Sequence, residues 1–355
     1  LKSFRKIQEP FPLKQNIKMN FWLSGIPFES PKISIRFYIL LFSISVTAVC
    51  EVAFFISKIS AENLIELTQL APLKRLKIFK LTQCLNQLYK DIISDEEKTN
   101  LVKHEFVFLK RLTNYFYVLN AALISVYNFS TLIIIFYRYL TTNEVTFILP
   151  YYIIYLHSIT SGFICVLYFT TVDSLYFVMT THIASHFAIL SNEIKGLDEE
   201  SSGLLNDIVR RHQYIIHLAE DLKDIFTAPN LFNVLVGSLE ICALGFSLTM
   251  GEWADAPGVI LFLFSVLLQI FMMSFFGENI IREVCNLGVA AYLCKWYKMD
   301  HRSKMIILQL IQRPQRLTAY KFSTISYESF IKIISRSWSY FTILKTVYKP
   351  PEQNK

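Results

Sequence analysis

The sequence predicts an all-α membrane protein: seven transmembrane helices, an intracellular N-terminus, an extracellular C-terminus and a cytoplasmic helical anchor region. Three observations predict it. Of 355 residues, 53% are hydrophobic and 18% charged, whereas soluble domains carry about 25% charge. The chain also contains a series of apolar runs close to the ~20 residues that a bilayer-spanning helix needs. Finally, Lys and Arg collect on alternate sides of those runs. With 30 Phe and 19 Tyr against 10 Gly and 11 Pro, disordered and collagen-like classes are excluded. Six Cys with no CxxC pair provide neither a zinc nor a disulfide framework.

Residues 1–36 read as a cytoplasmic segment, basic and interrupted by Pro10, Pro12, Pro27 and Pro31. Residues 1–32 hold no signal-peptide h-region, and Leu1 at the start leads us to expect a few leader residues upstream. Residues 37–171 hold the first four spans. The first is 37–56, interrupted by Glu51, and the second, 60–78, carries Lys74, Arg75 and Lys77. The third is 117–137 and the fourth 147–171. Residues 172–228 read as a cytoplasmic extension of the fourth span, a break near Gly196 and an amphipathic helix over 204–226. Its apolar positions are Leu204, Ile208, Ile215, Leu218, Leu222 and Ile225, at helical spacing. Residues 229–276 hold spans five (230–250) and six (257–276). Residues 277–321 read as cytoplasmic anchor helices ended by Pro314. Residues 322–348 form the last span, and 349–355 an extracellular tail.

Charge tests this order. With the N-terminus inside, cytoplasmic segments hold 25 of the 35 Lys and Arg, and outside segments hold 4. That asymmetry sets the orientation under the positive-inside rule. Omitting the second span would flip everything downstream, so charge supports that span where hydropathy is weak. The net charge of +7 therefore reads as membrane topology rather than nucleic-acid binding. A G-protein-coupled receptor has its N-terminus outside and is excluded.

Few residues offer chemistry. His182 and His186 share a helix face, but zinc needs a third ligand and no HExxH occurs, so they read as structural. No phosphate loop or nucleophile elbow is present, and neither an enzyme activity nor a cofactor or metal is expected. The Asn128-Phe129-Ser130 sequon lies inside the third span, beyond the reach of glycosylation. Glu51 and Glu240 lie within spans, where a carboxylate is costly; each reads as bonded to a neighbouring helix. The outer halves of the spans are dense in aromatics, among them Tyr127, Tyr152, Tyr155, Phe264 and Phe271. A concave apolar site with a few hydroxyls suits a small volatile or lipid-like ligand. On the last span Arg336, Tyr340, Ile343 and Val347 share one helical face, polar inside and apolar outside. Such a stripe suits a pore closed by an apolar constriction.

The C-terminal third carries a family pattern. The stretch QIFMMSFFGENIIREVCNLGVAAYLCKWY, residues 269–297, includes Gly277, Asn279, Ala291, Tyr292, Trp296 and Tyr297. Leu317-Thr318-Ala319 and Ser339-Tyr340-Phe341-Thr342 follow, and Asp173-Ser174-Leu175 with Ile189-Leu190 mark the extended fourth span. In these motifs the chain resembles the insect odorant receptors over nearly its whole length. The resemblance implies a ligand-gated, non-selective cation channel, a heterotetramer with an obligate odorant receptor co-receptor in the lipid bilayer. It implies a multi-pass plasma-membrane protein of olfactory sensory neuron dendrites that binds a small odorant. Matching Tyr340-Phe341 to the family's Tyr-Phe pair implies a gate at Ile343 and Val347 with Thr346 beside it. It implies an odorant pocket in the outer half, for which Tyr127, Tyr152, Tyr155, Phe264 and Phe271 are the candidates. The second outside loop is shorter than the family's, and the tail beyond Tyr348 is longer. The second span is unusually basic. Together with the Leu1 start, that leaves an incomplete or decaying gene product as one reading.

Two rivals share parts of this pattern. Insect gustatory receptors have the same architecture but usually end in Thr-Tyr, apolar residues and Gln-Phe, where this chain has Leu344-Lys345-Thr346-Val347. A secondary transporter would show an internal repeat and broken spans at matched positions, which the sequence lacks.

Overall fold

A computed structural model describes residues 62–142, 149–198, 202–250, 256–312 and 326–347. Among the described residues the regular structure is helical: α1 (Glu62–Ser94), α2 (Glu96–Thr142), α3 (Leu149–Lys195), α4 (Ser202–Met250), α5 (Ala256–Leu293), a 3₁₀ turn (Trp296–Lys298), α6 (His301–Gln312) and α7 (Tyr327–Val347). The first expected span, 37–56, and the tail 349–355 lie outside the described residues. Among the described residues three helices, over Gly162–Lys195, Gly203–Thr249 and Ala256–Leu293, are long and apolar enough to cross a membrane by length and composition. At 1.5 Å per residue, the 47 residues of α3 extend about 70 Å, more than twice a ~30 Å hydrocarbon core. A large part of α3 therefore lies outside any bilayer it crosses, and the same holds for α2 and α4.

The chain divides into two compact units. Of the described residues, the first holds 62–83, 110–142 and 149–175. Its polar side chains bond back along their own helices: the Thr82 hydroxyl donates to the Ile78 carbonyl at 2.8 Å, Asn120 Nδ2 to Phe116 at 2.8 Å and Thr171 to Leu167 at 2.6 Å. Such bonding satisfies hydroxyl and amide donors within the helix.

The second unit holds Cys84–Leu109 and the chain from Tyr176 onward. Here α3 is buried almost all round from Tyr176 to Ser191, which marks it as the central helix. Phe177 stacks on Phe276 of α5 at 4.7 Å, and Tyr176 tilts against Phe226 of α4 at 5.2 Å. Thr180, Thr181 and Ser191, all buried, donate to the carbonyls of Tyr176, Phe177 and Phe187. Asp95 alone separates α1 from α2. Its carboxylate accepts the Glu97 and Lys98 N–H groups at 3.1 and 3.4 Å, an N-cap that starts α2 one residue after α1 ends.

Residues 204–226 and 230–250, read as an amphipathic helix and a span, lie on one continuous helix, since α4 runs unbroken through Pro229. A proline removes one helical N–H, and buried Asn230 and the Thr227 hydroxyl, bonded to Lys223 at 2.6 Å, continue the turn. Within residues 277–321, read as anchor helices, the helical pattern is interrupted. α5 ends at Leu293, and α6 restarts behind Asp300, which accepts the Arg302 and Ser303 N–H groups at 3.0 and 3.3 Å. An Asp with no acidic residue three positions on is a quiet cap signal.

Candidate ligand and gating site

The site is built on α7 and the two helices it packs against. One face of α7 is seated. Ser337 is buried, and its hydroxyl donates to the Ser238 carbonyl of α4 at 3.3 Å. Phe341 lies over Gly245, where a Cβ would stand 3.5 Å from its ring. Trp338 packs beside Phe341 at 5.2 Å. Small residues on α4 allow this approach, as is common between membrane helices. Gly237, on the same helix, does the equivalent for α5: a Cβ there would meet Ile270 Cδ1 at 2.7 Å.

The other face of α7 is open. Arg336, Tyr340, Ile343 and Thr346 are exposed, Ile343 at 57%. The Thr346 hydroxyl donates to the Ile343 carbonyl at 2.7 Å, so its oxygen lone pairs remain available to water or ions. The Val347 side chain lies outside the described residues. Arg336, Tyr340 and Ile343 thus share one exposed face, as their spacing predicted.

The ligand candidates are only partly described. The side chains of Tyr127, Tyr152 and Tyr155 lie outside the described residues. Phe264 is 54% exposed on α5. Phe271 lies about two turns further along α5, against the start of α7. It stacks on Tyr327 at 6.2 Å and meets Phe330 edge-on at 5.5 Å. The sequence reading missed Ser238, Gly245, Ser337 and Phe341 as the seat of α7. The small residues Gly237, Ser238 and Gly245 within one span were the available signal.

The histidine pair sits in the second unit's core. His182 touches Phe106 at 4.7 Å and Tyr89 at 5.1 Å. Burial, with His186 adding to it, pushes the His182 imidazole well below its usual range. Burial and then the nearby Arg211 guanidinium lower His186 to about 4. Both rings are therefore neutral at physiological pH and serve as packing. Beside them Glu193 of α3 accepts a two-pronged bond from Arg211 of α4 and an ion pair from Lys98 of α2 at 3.5 Å. These charges pin three helices together where α3 ends.

Residues 70–337 match the family model described as 7tm odorant receptor. The chain belongs to the odorant receptor family. Among curated relatives it is similar to Odorant receptor 85b of Drosophila melanogaster, at 34% identity over 50% of this chain and 47% of that one. It is also similar to the Odorant receptor coreceptor of Aedes aegypti, at 27% identity over 38% of this chain and 30% of that one. The odorant receptor chain thus spans about half the length of the first of these relatives. Its fold resembles the insect olfactory receptor OR5 of Machilis hrabei, solved in complex with eugenol, with a TM-score of 0.72. That match covers 94% of this chain and 97% of OR5 at 18% identity. It establishes the all-helical receptor fold.

Proposed function

We propose that this chain is the odorant-tuned subunit of a ligand-gated, non-selective cation channel. It works as a heterotetramer with an odorant receptor co-receptor in the plasma membrane of olfactory neuron dendrites. The N-terminus is cytoplasmic, the C-terminus extracellular, and the buried bundle around α3 from residue 172 onward is the cytoplasmic anchor. A small apolar odorant binds among Tyr127, Tyr152, Tyr155, Phe264 and Phe271. α7 lines the pore, with Ile343, Thr346 and Val347 at its gate. The observation that carries this reading is the two-faced α7: Ser337 and Phe341 seated on α4, with Tyr340, Ile343 and Thr346 open on the other side. Polar and charged groups on a membrane helix must face protein or water. The open face of α7 carries Lys332, Arg336, Ser339 and Thr346.

The odorant binds the open state better than the closed one, since only differential affinity shifts an equilibrium. Moving from 1% to 99% open takes about 5.5 kcal/mol of it. The test is ion current in a heterologous cell, with and without the co-receptor, against a panel of volatiles that begins with eugenol. An odorant-evoked cation current that needs both chains is the expected result. Val347→Ala should alter basal leak or conductance, and unchanged currents in that variant would remove the gate assignment.

A further inference from the structure

We propose that Glu278 is a positioning residue that clamps the inner end of α7 to α5, so that displacement of α5 reaches the last helix. This rests on the reading of α7 as the gating helix. The first N–H groups of any helix lack partners within it. At α7 the Ser326 hydroxyl accepts the Ser329 N–H at 3.4 Å, and a Glu278 carboxylate oxygen accepts the Tyr327 N–H at 3.3 Å. The carboxylate is thereby held at the positive end of the α7 dipole, where negative charge is favoured. Arg282, one turn along α5, directs its guanidinium to Asn279 and Glu283 on its own helix.

Aromatic packing surrounds this contact. Tyr327 lies against Phe271 and Phe275 of α5 at 6.2 and 6.4 Å, and Phe330 meets Phe271 at 5.5 Å. Phe275 in turn touches Phe108 of α2 at 5.8 Å and Phe276 at 5.3 Å, and Phe276 stacks on Phe177 of α3. The foot of α7 is therefore tied through rings into the core of the second unit. The far end of α7 differs. Beyond Phe341 the described side chains Thr342, Ile343, Lys345 and Thr346 are all exposed. The helix is fixed at its foot and middle and open at its tip, the geometry of a lever. α5 is unbroken over 38 residues, about 57 Å. It carries Phe264 near one end and Glu278 about one turn beyond its midpoint, so one rigid rod joins the ligand candidates Phe264 and Phe271 to the clamp.

The experiment records evoked and basal current from the full channel, each normalised to surface receptor, for Glu278→Ala and Glu278→Gln, with Arg282→Gln as a control. Glu278→Ala should lower the evoked-to-basal ratio by about fivefold or more, the lower end of typical coupling between sites. Glu278→Gln keeps an acceptor oxygen and should fall between Glu278→Ala and wild type. Loss of folded receptor alone lowers both currents together and leaves the ratio unmoved. An unchanged ratio in Glu278→Ala overturns the clamp. Amide exchange over residues 326–330 of the purified full chain reads the contact without any current. It should quicken in Glu278→Ala and stay constant in Arg282→Gln; equal exchange in both overturns the proposal. A wild-type channel without odorant-evoked current speaks against the channel reading, and the exchange result then decides the clamp by itself.

Discussion

The α3 segment from Tyr176 to Ser191 and the α4 segment from Leu231 to Leu239 are both helical and both rich in large apolar side chains, yet they behave oppositely. In the first, Phe177, Ile183 and Phe187 are at most 1% exposed; in the second, Phe232 and Leu239 are 59% and 71% exposed. The first also buries Thr180, Thr181, His182, Ser185 and His186, whereas the second shows apolar groups on its outer side. A segment bordered by water must bury its apolar surface within its own chain. A segment bordered by hydrocarbon has no such need, and its helices associate through close packing of small residues instead. Gly237 against Ile270 and Ser238 against Ser337 are that packing. The contrast separates a part of α3 that packs within its own chain from a part of α4 that leaves its large apolar side chains open.

The sharpest way to break this contrast is to empty the α3 core. Phe177→Ala removes a ring stacked on Phe276 and should cost about 3–5 kcal/mol, read as a large fall in the thermal midpoint of purified receptor. A loss under 1 kcal/mol would place Phe177 outside a packed core. Acid gives the next effect. His186 binds a proton near pH 4 when folded and near 6.5 when unfolded. Between those values the unfolded chain holds more protons, so stability falls as pH drops through about 6.5 and levels off below about 4. His182 and His212 are lowered too, in the same direction. The His186 share is about 3 kcal/mol at most. His186→Gln should flatten the melting profile between pH 7.5 and 5, and a profile as steep as wild type would contradict the burial-driven shift.

The helical class was legible in the sequence, as was the sharing of one α7 face by Arg336, Tyr340 and Ile343. Hydropathy, charge asymmetry and i, i+4, i+7 spacing are local properties that report on single helices. What stayed hidden depends on distant pairs. Ser337 finds Ser238 across 99 positions and Tyr327 finds Glu278 across 49, and no periodicity encodes either. The break after Leu293 was invisible because Ala291, Tyr292 and Leu293 continue a helical pattern to its last residue. For Phe271, composition alone suggested a ligand contact, and the fold sets it against Tyr327 and Phe330.

Two smaller effects sharpen the comparison. Gly237→Val places methyl groups where Ile270 and Val266 already stand and should cost about 1–3 kcal/mol through overpacking. At Gly258 nothing lies within 4 Å of an added Cβ, so Gly258→Ala should be neutral or stabilising by up to about 1 kcal/mol. Equal effects at the two glycines would deny the close α4–α5 seam.

The smallest effect is the most telling about surroundings. Leu239→Ser removes a large apolar group from the outer side of α4, where the chain's own helices leave it 71% exposed. A serine in a helix bonds its hydroxyl back to the carbonyl four residues earlier, as Ser238 already does to Val234. The introduced hydroxyl therefore needs no outside partner, and no core cavity opens. Thermal stability of the detergent-solubilised chain should stay within about 0.5 kcal/mol of wild type. If Leu239→Ser instead melts the receptor like a core substitution, that side of α4 is covered by another segment or subunit, and the line between lipid-facing and self-packed helix moves outward past Leu239.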